Sequence, residues 1–430
     1  MLSCSCDTMV AMSDVTSDGS IIFGKNSDRQ PNEPLSIRFV PSRVNPLNSR
    51  VRTTYIEIDE VEQTNSCILF TPGNMFGAEM GFNCHGLVIG NEALFTKVSS
   101  SRKALTGMDL LRLVLERCST SSQGKNLIIN LLDKYGQGGN CGFINEFYYQ
   151  NSFLLVDSTE GWIIETIGKD YAAKRITNGV HTISNKISFG KIDTFDEYSE
   201  NLISQAITFG WCTSIEDFHF EKCYSGFTFN PQDFYNGFIR TYFSCSSQRQ
   251  STTENRIRNQ HKQFTIKDMF HLLRHHENTT ENPTHGLTNV DICMHSSFGP
   301  IKISQTTGSL VSMIPKSRNQ IPTHFVTCSS LPCLSVFKPI WLHSSIPPPD
   351  FVRNESEDFS LTYSAKRIWW KYEVINRNIM KFYTKLIQGI EKERNELEDK
   401  FIEQANRLLS NEISDEQRNS LTCSAFQEVN

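Results

Sequence analysis

Basic charge is in short supply in this 430-residue chain: Lys and Arg total 42 against 47 Asp and Glu, a net charge of −5. A mildly acidic surface offers no field to hold a phosphate backbone, so nucleic acid is excluded as an expected partner. Cysteine is sparse too: thirteen residues, odd in number and scattered, fall far short of a secreted disulfide scaffold. No stretch reaches the eighteen or more apolar residues of a membrane helix. The first twenty residues contain no Lys or Arg and no apolar core, so no secretory signal is expected. These absences together imply a cytoplasmic chain with reduced thiols, and they strip meaning from the glycosylation sequons at Asn278 and Asn354. With 38 % apolar and 21 % charged residues the chain reads as globular. Its length allows two to three domains, or one large layered unit.

What is present is an alternation of β-type and α-type segments from Cys6 to about Ile340. Thr8 to Met12, Ser20 to Gly24, Thr53 to Ile58, Leu87 to Glu92, Ser152 to Val156, Gly161 to Ile167, Val180 to Ser184, Ser309 to Ile314 and Thr323 to Thr327 are short, apolar or alternating, and bounded by turn residues. Thr106 with Asp109, and Thr265 with Asp268, have the spacing of capping boxes ahead of helical apolar repeats. A further helix is expected over Asn126 to Lys134, and the Gly-rich Tyr135 to Gly142 reads as a tight turn. Runs of strands and runs of helices favour an antiparallel, layered α+β architecture over a doubly wound sheet. The polar stretch Ser246 to Gln263 reads as an excursion or loop. Residues 341–359 have linker composition. Beyond them, Ile379, Tyr383, Leu386, Ile390, Leu397, Phe401 and Leu408 recur at helical spacing among many charges. Residues 360–410 are therefore expected to form an amphipathic helical tail packed on its own domain, with Gly389 and Arg394 interrupting the seam, and 411–430 to be poorly ordered.

The chemistry concentrates near the amino end. Cys6-Asp7-Thr8 opens a strand, and a short turn through Asp18-Gly19 returns the chain as Gly24-Lys-Asn-Ser-Asp-Arg29, so a hairpin would bring Lys25 and Asp28 back towards Cys6. A lone thiol is ordinarily a small buried apolar group; one flanked by a cation and a carboxylate is a site. If residues 1–5 are removed, the α-amine of Cys6, with a reference pKa of about 7.7 to 8.0, becomes a base tethered to the residue that carries the thiol. It would take the Sγ proton and later pass it to the leaving group, with no histidine needed. Asp28 would orient that amine, and Lys25 would favour the thiolate and an anionic substrate group.

Nine blocks follow one another along the chain: Ser5-Cys-Asp-Thr8, Gly24-Lys-Asn-Ser-Asp-Arg29, Gly86-Leu-Val-Ile-Gly-Asn-Glu-Ala93, Tyr135-Gly-Gln-Gly-Gly-Asn-Cys141, Tyr149-Gln-Asn-Ser-Phe153, Ile164-Glu-Thr166, Ile183-Ser-Asn185, Gln305-Thr-Thr-Gly-Ser309 and Ser335-Val-Phe-Lys-Pro339. In content and order they resemble the secernins, a branch of the cysteine dipeptidases of the N-terminal nucleophile superfamily. The resemblance implies a four-layer αββα sandwich over 6–340 and Cys6 as nucleophile after loss of residues 1–5. It implies hydrolysis of dipeptides or other small amides without a cofactor, and a link to regulated exocytosis. By motif, Asn91 and Asn185 match an Asn pair that helps form the oxyanion site, and Arg249 matches a late Arg placed with substrate binding. Thr327-Cys-Ser-Ser-Leu-Pro-Cys333 departs from the family pattern.

Other readings of single residues stay open beside this one. Asn91 and Asn185 also suit strand ends and turns. Cys4 and Cys6 with His85 or His295 lack the paired spacing of a zinc site, so no metal is expected. His271, His275 and His276 suit the end of a helix, and Cys141, Cys293 and His295 suit a core. A second functional class is a scaffold that promotes secretion through protein contacts of its tail, with hydrolysis weak or absent.

Overall fold

The structure, a computed structural model, describes residues 5–73, 75–225, 245–260, 263–277, 282–285, 290–297, 302–317, 320–342, 361–409 and 413–429. The expected linker, 341–359, lies almost entirely outside these residues, as do residues 1–4 ahead of Ser5. Two large antiparallel sheets organise the chain. The first has six strands in the order β14 (Val180–Ile183), β1 (Asp7–Ala11), β2 (Ile21–Arg29), β16 (Gln305–Ile314), β17 (Thr323–Val326) and β18 (Lys338–Ile340). The second has eight: β15 (Glu197–Tyr198), β13 (Asp170–Ile176), β12 (Gly161–Ile167), β11 (Gln150–Val156), β10 (Val88–Leu94), β9 (Met80–Asn83), β8 (Cys67–Pro72) and β3 (Leu35–Val40). Two small ribbons, β4 (Arg43–Val44) with β7 (Gln63–Thr64) and β5 (Arg50–Arg52) with β6 (Glu57–Asp59), stand outside both sheets.

The strands are apolar on both faces because both faces are covered, and successive residues serve different layers. Val10, Phe23 and Leu310 from the first sheet meet Ile68, Phe70, Phe82, Val88 and Leu154 from the second in the layer between the sheets. Their neighbours Leu69, Ile89, Phe153 and Leu155 turn outward onto helices α1 (Gly107–Arg117) and α2 (Ser121–Tyr135). On the opposite side Met9, Ile22, Val311 and Phe325 pack on α5 (Ser246–Arg258) and α6 (Ile266–Leu273). Helix, sheet, sheet, helix is the expected four-layer αββα sandwich. Between α2 and α5 run α3 (Glu200–Thr208) and the single turn α4 (Phe220–Tyr224).

Local signals hold where capping chemistry is explicit. Thr106 and Thr265 both make full capping boxes, with Asp109 and Asp268, and α2 starts earlier than its apolar repeat suggests because Thr120 caps it. In the Gly-rich turn, Gly138 has a φ of 154° and a Cβ there would lie 2.2 Å from Ser101 O, so only glycine fits. Four expectations change. The strand read as Ser20 to Gly24 continues to Arg29, because β16 pairs with it along its whole length, so Lys25 and Asp28 belong to a strand. Thr53 to Ile56 is the turn between β5 and β6, and of the expected strand only Glu57 and Ile58 are extended, in β6. The polar stretch after Cys245 is helix α5, whose buried face is made of Ser246, Arg249, Thr253 and Ile257 and so gives almost no apolar periodicity. The carboxyl end forms helices α7 (Ile368–Met380), α8 (Tyr383–Arg407) and α9 (Asp415–Val429). On α9 the side chains of Leu421, Ala425 and Phe426 are buried. Arg394, read as a break in the tail's seam, is buried with its guanidinium on Cys333 O.

Candidate active site

Cys6 sits at the head of β1, buried between β2 and the loop that follows β14. Its backbone nitrogen donates to Asn185 Oδ1 at 2.8 Å, and the Asp28 backbone N–H donates to its sulfur at 3.2 Å. The Asn185 amide orientation is set by three partners: Oδ1 accepts from Cys6 N and from Arg249 Nη2 at 2.9 Å, while Nδ2 donates to Ala93 O at 3.1 Å. Asn185 thus faces Cys6 as an acceptor for its nitrogen. The oxyanion-donor role implied by the family motif would need the other end of the amide.

Asp28 reaches the site through a β-bulge. β16 pairs regularly with β2 except between Thr306 and Gly308, where one extra residue shifts the register. Bulges re-aim side chains beside sites, and here Thr306 Oγ1 donates to Asp28 Oδ1 at 2.6 Å.

Strand alternation sorts the other candidates. Lys25 shares the inter-sheet face with Phe23, and Glu92 shares that of β10 with Val88. Across the gap Lys25 Nζ donates to Glu92 Oε1 at 2.9 Å and to Asn91 O at 2.8 Å, with both side chains fully buried. Thr8 Oγ1 donates to the same Glu92 oxygen. Burial pushes Glu92 up to about 7, against the pull of Lys25. Burial works to lower the Lys25 pKa, but the charges of Glu92 and Cys6 outweigh it and raise it, so Lys25 stays an ammonium. Two of the three Lys25 ammonium protons are thus directed to Glu92 and Asn91 within the protein. Asn91 lies on the other face of β10, its amide donating to Asn151 Oδ1 at 3.3 Å beside Met108 of α1. Asn91 thus faces α1 while its neighbour Glu92 faces Lys25, because a one-residue step along a strand changes the face.

Arg249, expected in substrate binding, lies wholly buried behind the nucleophile. Its Nη1 pairs with Asp7 Oδ2 at 2.5 Å and donates to Cys6 O at 3.1 Å, while Nη2 holds Asn185. Burial raises the Asp7 pKa against the opposing pull of Arg249. Sequence reasoning missed Asp7, Glu92 and Thr306. The available signal was an isolated acid or hydroxyl inside an apolar strand, which carries a cost unless paired.

Together these contacts hold a thiol, a backbone nitrogen and a carboxylate in one buried cluster, with a cation on either side. Among the described residues no helix is long and apolar enough to cross a membrane. The sequence profile of Peptidase family C69 matches residues 5–396. Solved structures with related chain paths include a mutant of the conjugated bile acid hydrolase from Clostridium perfringens, at 14 % identity over 74 % of this chain and 88 % of that one with a TM-score of 0.42. Penicillin V acylase from Agrobacterium tumefaciens matches at 12 % identity over 78 % of this chain and 86 % of that one, with a TM-score of 0.35. The Caenorhabditis elegans ortholog of N-acylethanolamine-hydrolyzing acid amidase matches at 12 % over 73 % and 94 %, with a TM-score of 0.30. The profile begins one residue ahead of Cys6 and runs past β18 into α8, so it takes in both sheets and every residue of the cluster: the chain belongs to Peptidase family C69 and is a cysteine-type hydrolase acting on amide bonds.

Proposed function

We propose that this protein hydrolyses dipeptides or similar small amides with Cys6 as an amino-terminal nucleophile, formed when residues 1–5 are removed. The observation that carries the reading is the Cys6 nitrogen held by Asn185 Oδ1 while the sulfur of the same residue receives the Asp28 N–H. Once freed, that nitrogen keeps one N–H on Asn185 and turns its lone pair to Sγ. The amine takes the thiol proton, Sγ adds to the amide carbon, and the ammonium returns the proton to the departing nitrogen. Water then attacks the thioester with the amine again as base, releasing the acid and restoring Cys6. The Asp28 N–H and the Lys25 field favour the thiolate over the thiol. Asp28 and Thr306 act on the amine's side of the cluster, and Arg249 positions Cys6 and Asn185.

The test is a panel of dipeptides and acyl amides with wild type and Cys6→Ala. Turnover should fall by at least ~10³-fold in the variant, as for loss of other covalent nucleophiles, with an unchanged circular dichroism spectrum. Equal turnover by both would reject Cys6. Secernin membership and a role in exocytosis form a second proposal. It is favoured by exposed apolar residues on the tail, Ile375, Phe382 and Leu386, which give a protein partner a place to dock. Cys6→Ala that still supports secretion in cells, together with a wild type that turns over nothing in the panel, would give this second reading precedence.

A further inference from the structure

About the loops behind the active site, four side chains converge that the hydrolase reading does not use. His276 lies just past the end of α6, Cys293 and His295 are two apart in an extended segment, and Cys333 sits in the 3₁₀ turn Pro332–Leu334. All four are buried, and one ligand atom from each lies within 4.8 Å of every other. His295 Nε2 is 3.2 Å from Cys333 Sγ and 3.5 Å from Cys293 Sγ. Metal bonds of 2.0 to 2.3 Å in a tetrahedron give ligand-to-ligand edges of about 3.3 to 3.8 Å, so these atoms already stand near the corners such an ion requires. Among the described residues the buried His276 Nε2 has no hydrogen-bond partner.

We propose that His276, Cys293, His295 and Cys333 form a closed, structural zinc site. Two thiolates and two imidazoles neutralise a divalent ion, which suits a dry interior, and the sulfur donors exclude magnesium and calcium. The ligand segments are already held to one another. Cys293 N and Ile292 N both donate to His275 O at 3.1 Å, fixing one ligand segment on another. Arg274 Nε donates to Pro332 O at 2.9 Å, and Arg394 from α8 donates to Cys333 O, which anchors the turn. The Tyr383 ring stands 6.4 Å from that of His295 and 6.5 Å from that of His276. His276 also lines a surface cleft with Tyr383 and Glu391, which gives the ion a way in.

The site would stiffen the active centre. Met294, between two ligands, donates its N–H to Thr306 Oγ1 at 2.9 Å and accepts from Thr306 N at 2.9 Å, while Leu331, two residues before Cys333, donates to Thr306 O at 2.9 Å. Thr306 is the residue whose hydroxyl holds Asp28. One ion would thus clamp the two loops that bracket Thr306.

The experiment uses the purified full chain, with metal content by mass spectrometry before and after dialysis against Zn²⁺. Wild type and Cys6→Ala should each hold one zinc per chain, and Cys293→Ser and Cys333→Ser should each lose it. Replacing the ion by Co²⁺ in wild type should give the intense visible bands of tetrahedral cobalt with thiolate charge transfer, a readout that does not depend on whether the variants fold. A folded wild type that takes up no stoichiometric zinc, or cobalt without thiolate charge transfer, overturns the proposal. So does zinc retained in both cysteine variants. Because Cys6→Ala keeps the ion, failure here is separable from failure of the hydrolase reading.

Discussion

Arg249→Met tests whether the nucleophile rests on a buried ion pair. The substitution leaves Asp7, 2 % exposed, without the guanidinium 2.5 Å away, and strips Cys6 O and Asn185 Oδ1 of donors at 3.1 and 2.9 Å. Removing one member of a buried pair costs about 3 to 5 kcal/mol because a charge is left uncompensated. In urea unfolding at pH 7, followed by tryptophan fluorescence, Arg249→Met should therefore lose ~4 kcal/mol. The double variant Asp7→Asn with Arg249→Met should lose much less than the two single variants summed, since it removes the stranded charge. The pH dependence has a definite sign. Burial already raises the Asp7 pKa, and Arg249 is the main group opposing that rise. Without Arg249 the pKa goes higher, protonation relieves the cost, and the gap between wild type and variant narrows as pH falls from 7 to 5. A loss below ~1 kcal/mol at pH 7, or a gap of the same size at pH 5, would refute the reasoning.

Three other outcomes follow from the same geometry. Thr306→Val removes the hydrogen bond to Asp28, and an interaction of ~1.5 to 3 kcal/mol with a charged group corresponds to a fall in kcat/KM of roughly 10- to 100-fold; steady-state kinetics on a folded variant with wild-type rates would contradict it. Glu92→Gln changes the pH dependence of stability. The folded pKa of about 7 lies above the ordinary 4.5, so the Glu92 contribution declines as pH rises through that window. The difference between wild type and variant in denaturant titrations should accordingly move in the variant's favour from pH 4.5 to 7, and a flat difference would show that Glu92 does not titrate there. Gly90→Ala places a Cβ 2.6 Å from Lys25 Cδ and 3.0 Å from Thr8 Oγ1, groups that buried pairing holds still. Overpacking of that kind costs about 1 to 3 kcal/mol, so a lowered thermal midpoint with reduced turnover is expected, and a variant with wild-type values of both would refute the packing.

Legibility in the sequence followed the range of the interaction. Capping at Thr106 and Thr265 could be read because its partners lie three residues away, and the strand Gly161 to Ile167 because its turn residues and apolar run are local. The hairpin returning Lys25 and Asp28 to Cys6 was readable for the same reason. Faces were harder. Asn91 and Glu92 are adjacent, and only the pairing of β10 within its sheet decides that Glu92 turns to Lys25 and Asn91 to α1. Helix α5 escaped notice because three of its four buried side chains are polar, and the largest, Arg249, has partners Asp7 and Asn185 that lie 242 and 64 residues away. The four-residue Cys and His cluster escaped for a related reason. Its members come from three separate segments, and no local spacing announces their convergence.

The most direct measurement is the intact mass of the protein purified from its native host, taken on the same preparation that is assayed for amide hydrolysis. A chain that begins at Cys6, with turnover rising in proportion to that species, is the expected result. Hydrolysis by a preparation in which every molecule still carries the residues ahead of Cys6 would contradict a free Cys6 amine as the base.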